Sequence, residues 1–165
     1  ISIGLVGSEM CIRDSIYDGG HRIPHIVKWP RKIKPGTTNN SLNTLASFYS
    51  TVADLLKLEV SSSDSYSIFS ELINDVKIEE DRSIIHHSSE GHFSIRNGNW
   101  KMIEKLGSGG FSLPRRVEPT PGVMQERLYN MKYDLSEKID LASKYPKIIS
   151  KMKNKLDSIR AISLP

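Results

Sequence analysis

A hairpin signal in the middle of the chain constrains the fold most. Asn97-Gly98-Asn99 carries an Asn-Gly pair, the strongest short-range signal for a tight β-hairpin. Four stretches rich in β-branched and aromatic residues surround it: 83–88, 93–96, 100–104 and 127–131. A hairpin alone is only marginally stable in water, so these stretches predict a small antiparallel sheet.

The helix signals lie on both sides of these strands. Leucines and aromatic residues recur every three to four positions over 41–58, which predicts a helix with Ser41 as its N-cap. A short helix is predicted over 68–73, and Pro146 is placed to begin a terminal helix over 146–159. The β-branched segment 25–30 predicts one further strand. Since a lone strand does not make a sheet, we expect its partners upstream.

Composition and charge exclude several classes of protein. Of 165 residues, 38% are hydrophobic and 25% are charged, which excludes a disordered tail. The single cysteine, Cys11, excludes an internal disulfide framework and a cysteine-based zinc site. The absence of a long apolar run predicts no membrane partner. The net charge of +4 is concentrated in residues 145–165, which is more typical of a solvated helix face than of a nucleic-acid site.

The first fifteen residues differ from the rest of the chain. The apolar stretch 1–7 is too short and too broken for a signal peptide. Residues 8–15, SEMCIRDS, are similar to a translated adaptor tail that recurs in assembled environmental sequences. We therefore expect the stretch 1–15 to be artefactual or foreign, and the genuine protein to begin near Ser15 or Ile16.

Several phrases resemble the C-terminal part of type I sulfatases, the arylsulfatase-like members of the alkaline-phosphatase superfamily. The family phrase Tyr-Glu-Gly-Gly-x-Arg-x-Pro stands here at 17–24 as YDGGHRIP, and an apolar segment ending in Trp29-Pro30 comes next. The other phrases, in family order, are TVADLLKL at 51–58, RNGNWKMI at 96–103 and the LYNM-to-Pro stretch at 128–146.

The resemblance implies an α/β fold that becomes α+β towards the C-terminus. Residues 16–75 would be the end of the catalytic α/β domain, with its last strand and helix. Residues 76–165 would form a C-terminal subdomain with a small antiparallel sheet and a terminal helix. The implied function is that of a sulfuric ester hydrolase on a sulfated small molecule or polysaccharide. A periplasmic or secreted location is implied by the family alone.

The residues that the family uses for chemistry are not matched. Family members convert the Cys of a Cys-x-Pro-x-Arg motif to formylglycine, but Cys11 is followed by Ile-Arg-Asp-Ser. The family's Ca²⁺ ligands also have no counterparts, so the missing N-terminal catalytic portion would have to supply them. The lysine that contacts sulfate four residues before the tyrosine is replaced by Arg13. We therefore expect this chain to be inactive alone.

The remaining candidate residues adjoin that implied site. Arg22 and Asp18 are candidates for an ion pair that fixes the loop, either as a buried pair near the site or as an ordinary salt bridge. Gly19 and Gly20 are predicted to be turn residues. His86 and His87 are candidate substrate-binding residues, of which at most one points inward because neighbouring strand residues face opposite sides.

One alternative function remains open. The chain could be a stand-alone module that binds anionic glycan or nucleic acid through the basic terminal helix. The glycine- and proline-rich loop over 106–123 is too long for a simple connection, and it is a candidate for shaping substrate choice. Its Gly107-Ser108-Gly109-Gly110 run lacks the Lys-Ser/Thr of a phosphate-binding loop.

Overall fold

The computed structural model describes residues 14–61, 64–74 and 82–163. These residues form two compact units. Among the described residues, the sheet unit comprises 14–23 and 85–163, and the helical unit comprises 24–61, 64–74 and 82–84. The expected division at residues 15 and 75 into foreign, catalytic and C-terminal parts stays a prediction. Cys11 and Arg13 lie outside the described residues.

The sheet has four strands in chain order, as the four β-rich stretches predict. They are β1 (Ser83–His87), β2 (Phe93–Asn97), β3 (Trp100–Ile103) and β4 (Arg127–Asn130). The hairpin β2–β3 is antiparallel and pairs Asn97 with Trp100, so Gly98 and Asn99 are the central turn residues. Gly98 has a φ of 54°, which a glycine at the first central position of a type II′ turn permits.

One face of the sheet packs on the terminal helix α4 (Pro146–Ser163). Ile95, Met102 and Leu128 are cross-strand neighbours in one row of this face. They pack with residues of α4 and of the segment before it, namely Ala142, Ile149, Met152 and Leu156. The apolar spacing of α4 therefore predicts its buried face correctly, and the helix extends beyond the predicted end at residue 159.

The opposite face of the sheet holds a second cluster. It contains Ile16, Ile103, Tyr129 and Met131, with Tyr17 packed against it. Ile16 has no exposed surface, and its N–H donates to the carbonyl of Ser108 at 2.9 Å. The segment that begins at Asp14 is thus part of the sheet unit.

Within the described residues, the helical unit contains two helices, α2 (Ser47–Leu55) and α3 (Phe69–Asn74). The predicted helix over 41–58 is correct in type but too long. Before it, Asn39 Oδ1 accepts from the N–H of Ser41 at 2.6 Å, a local side-chain bond that competes with helix formation. At the other end, Lys57 adopts a φ of 57°, which ends the helix.

Two expectations about the helical unit are wrong. The segment 25–30 is irregular instead of forming a strand, and no ladder among the described residues includes it. The apolar stripe predicted for the first helix is largely exposed at Leu45, Phe48 and Leu56. The buried residues of α2 are Ser47, Thr51 and Ala53.

Candidate functional site

The YDGG phrase forms a single helical turn, α1 (Asp18–His21), which contains Gly19 and Gly20. The N–H of Gly20 donates to Tyr17 O at 3.0 Å, and the N–H of Arg22 donates to Asp18 O at 2.9 Å. Gly19 and Gly20 therefore lie within right-handed helix and do not supply a positive φ. The turn points Asp18 inward, where the residue is 4% exposed.

Lys101 connects this turn to the sheet. Its side chain is fully buried, its Nζ forms an ion pair with Glu137 Oε1 at 2.7 Å, and the same Nζ donates to Ile16 O at 3.1 Å. Asp18 Oδ1 lies 3.8 Å from the same Nζ. Glu137 also accepts from the backbone N–H of Asp18 through Oε2, at 2.5 Å. A buried lysine of this kind requires anionic partners, and both are present.

Arg96 completes the cluster. It is the cross-strand partner of Lys101 on the same face of the hairpin, and its Nη1 lies 3.4 Å from Asp18 Oδ2. Like charges directly opposite each other destabilise a sheet unless acids compensate for them. Asp18 and Glu137 provide that compensation. We call the set Asp18, Arg96, Lys101 and Glu137 the buried charge cluster.

Two histidines flank the buried charge cluster. His86 Nε2 lies 3.1 Å from Ile16 O, and His21 Nε2 lies 2.9 Å from Ser15 O. Their ring centroids are 3.9 Å apart. Burial lowers the pKa of His86 to about 3, and the charge of Lys101 adds to the shift. Burial also lowers the pKa of His21. Both rings are neutral near pH 7, so each Nε2 donates its hydrogen to the backbone carbonyl.

The other two side-chain candidates, Arg22 and His87, are exposed. Arg22 does lie beside Asp18, at 3.8 Å, but its side chain is 60% exposed. The predicted pair is therefore not a buried one, because Arg96 and Lys101 take the buried side of Asp18. His87 contacts only the neighbouring carbonyl of Ser88 and the ring of Phe93, so of the two strand histidines only His86 faces inward.

Sequence reasoning did not single out Arg96, Lys101 or Glu137. All three stand inside the phrases that resemble sulfatases, but nothing in one phrase indicates its contact with another. No signal in the sequence fixes this pairing, because a two-residue turn centred on the Asn97-Gly98 pair would place Arg96 opposite Asn99 and not opposite Lys101.

The described residues do not fit a metal ion. Residues 14–61, 64–74 and 82–163 contain no group of three or more His, Cys, Asp or Glu side chains that could hold one. The two carboxylates of the buried charge cluster already face Lys101. No helix in these ranges is long and apolar enough to cross a membrane.

Two curated relatives match most of the chain. An N-acetylgalactosamine-6-O-sulfatase of Bacteroides thetaiotaomicron is 27% identical over 149 residues, covering 88% of this chain and 29% of that protein. A sulfatase of Formosa agariphila is 29% identical over 158 residues, covering 87% of this chain and 28% of that protein. The chain thus spans less than a third of the length of these relatives. No protein-family model matches it.

Solved structures show the same relationship in the fold. One from Bacteroides thetaiotaomicron, described under the metabolism of multiple glycosaminoglycans, has a TM-score of 0.73 at 26% identity over 89% of this chain and 31% of its own. Another, in complex with its substrate D-glucosamine-2-N,6-O-disulfate, has a TM-score of 0.65 at 21% identity over 88% of this chain and 29% of its own, a likeness of fold. The chain is therefore similar in sequence and in fold to sulfatases, over a stretch that makes up about 30% of their length.

Proposed function

We propose that the chain is the C-terminal portion of a sulfuric ester hydrolase that acts on sulfated sugars. The observation that carries the proposal is the buried charge cluster. It joins three phrases that separately resemble sulfatases: Asp18 from the first, Arg96 and Lys101 from the hairpin phrase, and Glu137 from the last. An interlocked set of this kind supports one shared ancestry and one shared role better than three isolated matches would.

The proposed role of the cluster is to position the turn α1. Asp18 is held through its backbone N–H by Glu137 and through its carboxylate by Lys101 and Arg96. Ile16 is held through its carbonyl by Lys101 and His86. Residue 13, the position of the family's sulfate-contacting lysine, lies three residues before Ile16 in the sequence. A guanidinium at that position would suit sulfate oxygens well.

The substrate class rests on the relatives. One is named for N-acetylgalactosamine 6-O-sulfate chemistry, and one fold neighbour is bound to a disulfated glucosamine. We extend this to hexosamine sulfates, in a polysaccharide or as a free sugar. A periplasmic or secreted location belongs to the same proposal.

Formylglycine and Ca²⁺ belong to the proposal for an intact enzyme only. The described residues do not fit a calcium site, so we derive no step through either group. The part that this chain would play is to hold α1 in place and to form part of the substrate-facing wall.

The test is to join this chain to the reading frame that precedes it in the source DNA. We expect that frame to encode a Cys-x-Pro-x-Arg motif, and the long protein to release sulfate from N-acetylgalactosamine 6-sulfate or glucosamine 6-sulfate oligosaccharides. The 165-residue chain alone should release none. An upstream frame without the motif, or a long protein that releases no sulfate from this panel, would overturn the proposal. Turnover by the short chain would overturn its expected inactivity.

The second candidate, a stand-alone module that uses its basic helix, has less support. Of the cations on α4, Lys153 pairs with Glu126 at 2.5 Å, and Arg160 pairs with Glu104 at 2.7 Å. These pairs reduce the positive charge that the helix offers to an anionic ligand.

A further inference from the structure

Two adjacent arginines on the long loop share one carboxylate. Arg115 Nε donates to Glu90 Oε1 at 2.5 Å, and Arg116 Nε donates to Glu90 Oε2 at 2.9 Å. Each guanidinium thus uses its Nε–H, which leaves the terminal Nη groups for another ligand. The Glu90 side chain is 9% exposed beneath them, whereas those of Arg115 and Arg116 are 48% and 73% exposed.

The backbone under the arginines is closely fitted. The N–H of Gly109 donates to Arg115 O at 3.0 Å, and the N–H of Ser108 donates to Pro114 O at 2.9 Å. Gly107 has a φ of 84°, and a Cβ there would lie 2.7 Å from Arg115 O. A residue with a side chain would therefore push this part of the loop apart. Arg115 and Arg116 therefore lie on a backbone segment with close contacts and not at a loosely held loop tip.

The loop is also tied to the rest of the sheet unit. Ser108 O accepts from the N–H of Ile16 at 2.9 Å, and Gly109 O accepts from the N–H of Glu90 at 2.9 Å. The same loop thus holds the backbone of Glu90, the carboxylate partner, and the segment that leads into α1. Arg115 and Arg116 are consequently fixed with respect to the turn that we propose to adjoin the reacting sulfate.

The exposed guanidinium groups favour an anionic ligand. The hydrogen bonds from Arg116 and Arg115 lower the pKa of Glu90, so that it stays ionised and holds both guanidiniums. Glu118 also acts on Arg116, so two acids balance two cations, and the attraction for an anion comes from the exposed guanidinium donors and not from a net charge. Phe111 lies under the Arg115 guanidinium at 5.5 Å from its ring centre and is 51% exposed, so it offers an apolar surface beside the charge.

We propose that Arg115 and Arg116, held on Glu90, bind a second sulfate group of a sulfated oligosaccharide, on a sugar next to the one that reacts. Guanidinium groups bind tetrahedral oxyanions through paired N–H donors, and the Nη groups are available for this. The exposed ring of Phe111 provides the face against which a sugar ring rests. This proposal rests on the proposed function, because it names a further contact for the same class of substrate.

The test is direct binding to the 165-residue chain, measured by calorimetry with a sulfated hexosamine tetrasaccharide, its desulfated form and an oligonucleotide of matched charge. Of these three ligands, we expect only the sulfated tetrasaccharide to bind measurably. The double variant R115Q/R116Q should weaken this binding about tenfold or more, because it removes charge-assisted hydrogen bonds. R115K/R116K keeps the charge but loses the paired donors, so it should recover only part of the affinity.

The matched control is K147Q/K151Q, which removes two charges from α4 and should leave affinity unchanged. Affinity lost in this control but retained in R115Q/R116Q would overturn the site, as would equal binding of the oligonucleotide or no binding by the parent chain. If the double variant loses its folded amide spectrum, the single variant R116Q replaces it in the test, because Arg115 still bonds Glu90 there. An R116Q affinity equal to that of the parent chain would then overturn the proposal. Because binding is measured without turnover, failure of the long protein to release sulfate would not affect this result.

Discussion

The two units bury different kinds of residue. The sheet unit buries two apolar clusters and, between its hairpin and α1, three charged side chains, with the partly exposed Arg96 beside them. In the described ranges, the buried apolar residues of the helical unit are only Ala53 and Ile68, each 5% exposed. Its larger apolar residues Leu45, Phe48 and Leu56 are exposed.

Polar contacts hold the helical unit together instead. Thr51 Oγ1 donates to Ser47 O at 2.6 Å and accepts from the N–H of Ile68 at 3.0 Å. The buried Glu71 pairs with Arg82 at 2.5 Å. Since hydrophobic burial is the main favourable term in folding, a unit with these contacts and little apolar burial has little stability of its own. Exposed apolar surface of this extent is typical of an interaction face.

Hydrogen exchange gives the largest expected contrast. We expect amides of β2 and β3 to exchange at least about a hundredfold more slowly than those of residues 47–58, because the sheet opens only with its core. The measurement is exchange followed by NMR at residue resolution. Equal protection in the two units would contradict the contrast. The amides of Ile16 and Arg22 should follow the sheet unit, whose bonds they share.

Removing the buried cation should disrupt one unit only. Lys101→Met leaves Asp18 and Glu137 buried without their shared partner, which should cost about 3–5 kcal/mol of unfolding free energy. Trp100 lies in the sheet unit and Trp29 in the helical unit, so urea unfolding of single-tryptophan variants reports on each separately. Only the Trp100 signal should shift.

Two further variants sharpen this result. Lys144→Met removes an exposed lysine and should change little. Lys101→Met/Glu137→Leu removes both partners and should recover part of the loss, since replacing both members of a buried pair is far less costly than removing one. A double variant no more stable than the single would show that Lys101 acts through packing and not through charge.

Lowering the pH should reduce the unfolding free energy of the sheet unit already at pH values above those at which carboxylates titrate. The unfolded chain protonates a histidine near its ordinary pKa of 6.5, whereas folded His86 does so only near a pKa of about 3. Protons therefore favour the unfolded state, and stability falls as the pH drops from 6.5 towards 3. By pH 5 the loss should be about 1–2 kcal/mol. His86→Gln should make the Trp100-monitored profile clearly less steep between pH 7 and 5, with the remaining slope due to His21, whose pKa is also lowered, and His87→Gln should not change the profile.

The smallest effect is expected at the exposed apolar residues. Phe48→Gln in the helical unit should change the unfolding free energy by less than about 0.5 kcal/mol. Leu128→Ala in the sheet core should cost about 2–5 kcal/mol by the same urea titrations. A loss near 2 kcal/mol for Phe48→Gln would mean that this side chain is covered in solution, which would remove the contrast between the units.

Local signals predicted the sheet unit well. The strands, the hairpin turn and the buried stripe of α4 can be read from periodicity and turn chemistry, because their partners are close in sequence. The same rules failed for 25–30, since a β-branched segment becomes a strand only when another strand pairs with it. They also placed the start of α2 too early, where Asn39 bonds the backbone instead.

The candidate site could be predicted only in parts. The resemblance identified Asp18 and its neighbours, but contacts such as that between Asp18 and Glu137 join residues 119 positions apart. No local pattern encodes such a contact.

That separation also has a kinetic consequence. Lys101 binds Ile16 O across 85 positions, and Glu137 closes the set from further along the chain. During synthesis from the N-terminus, the turn α1 emerges long before any of its buried partners. The carboxylate of Asp18 stays solvated until β4 and the segment that carries Glu137 have been synthesised. Because contacts of such separation slow folding, the closing of this cluster is a late step, and the nascent chain must keep its apolar residues from aggregating until then.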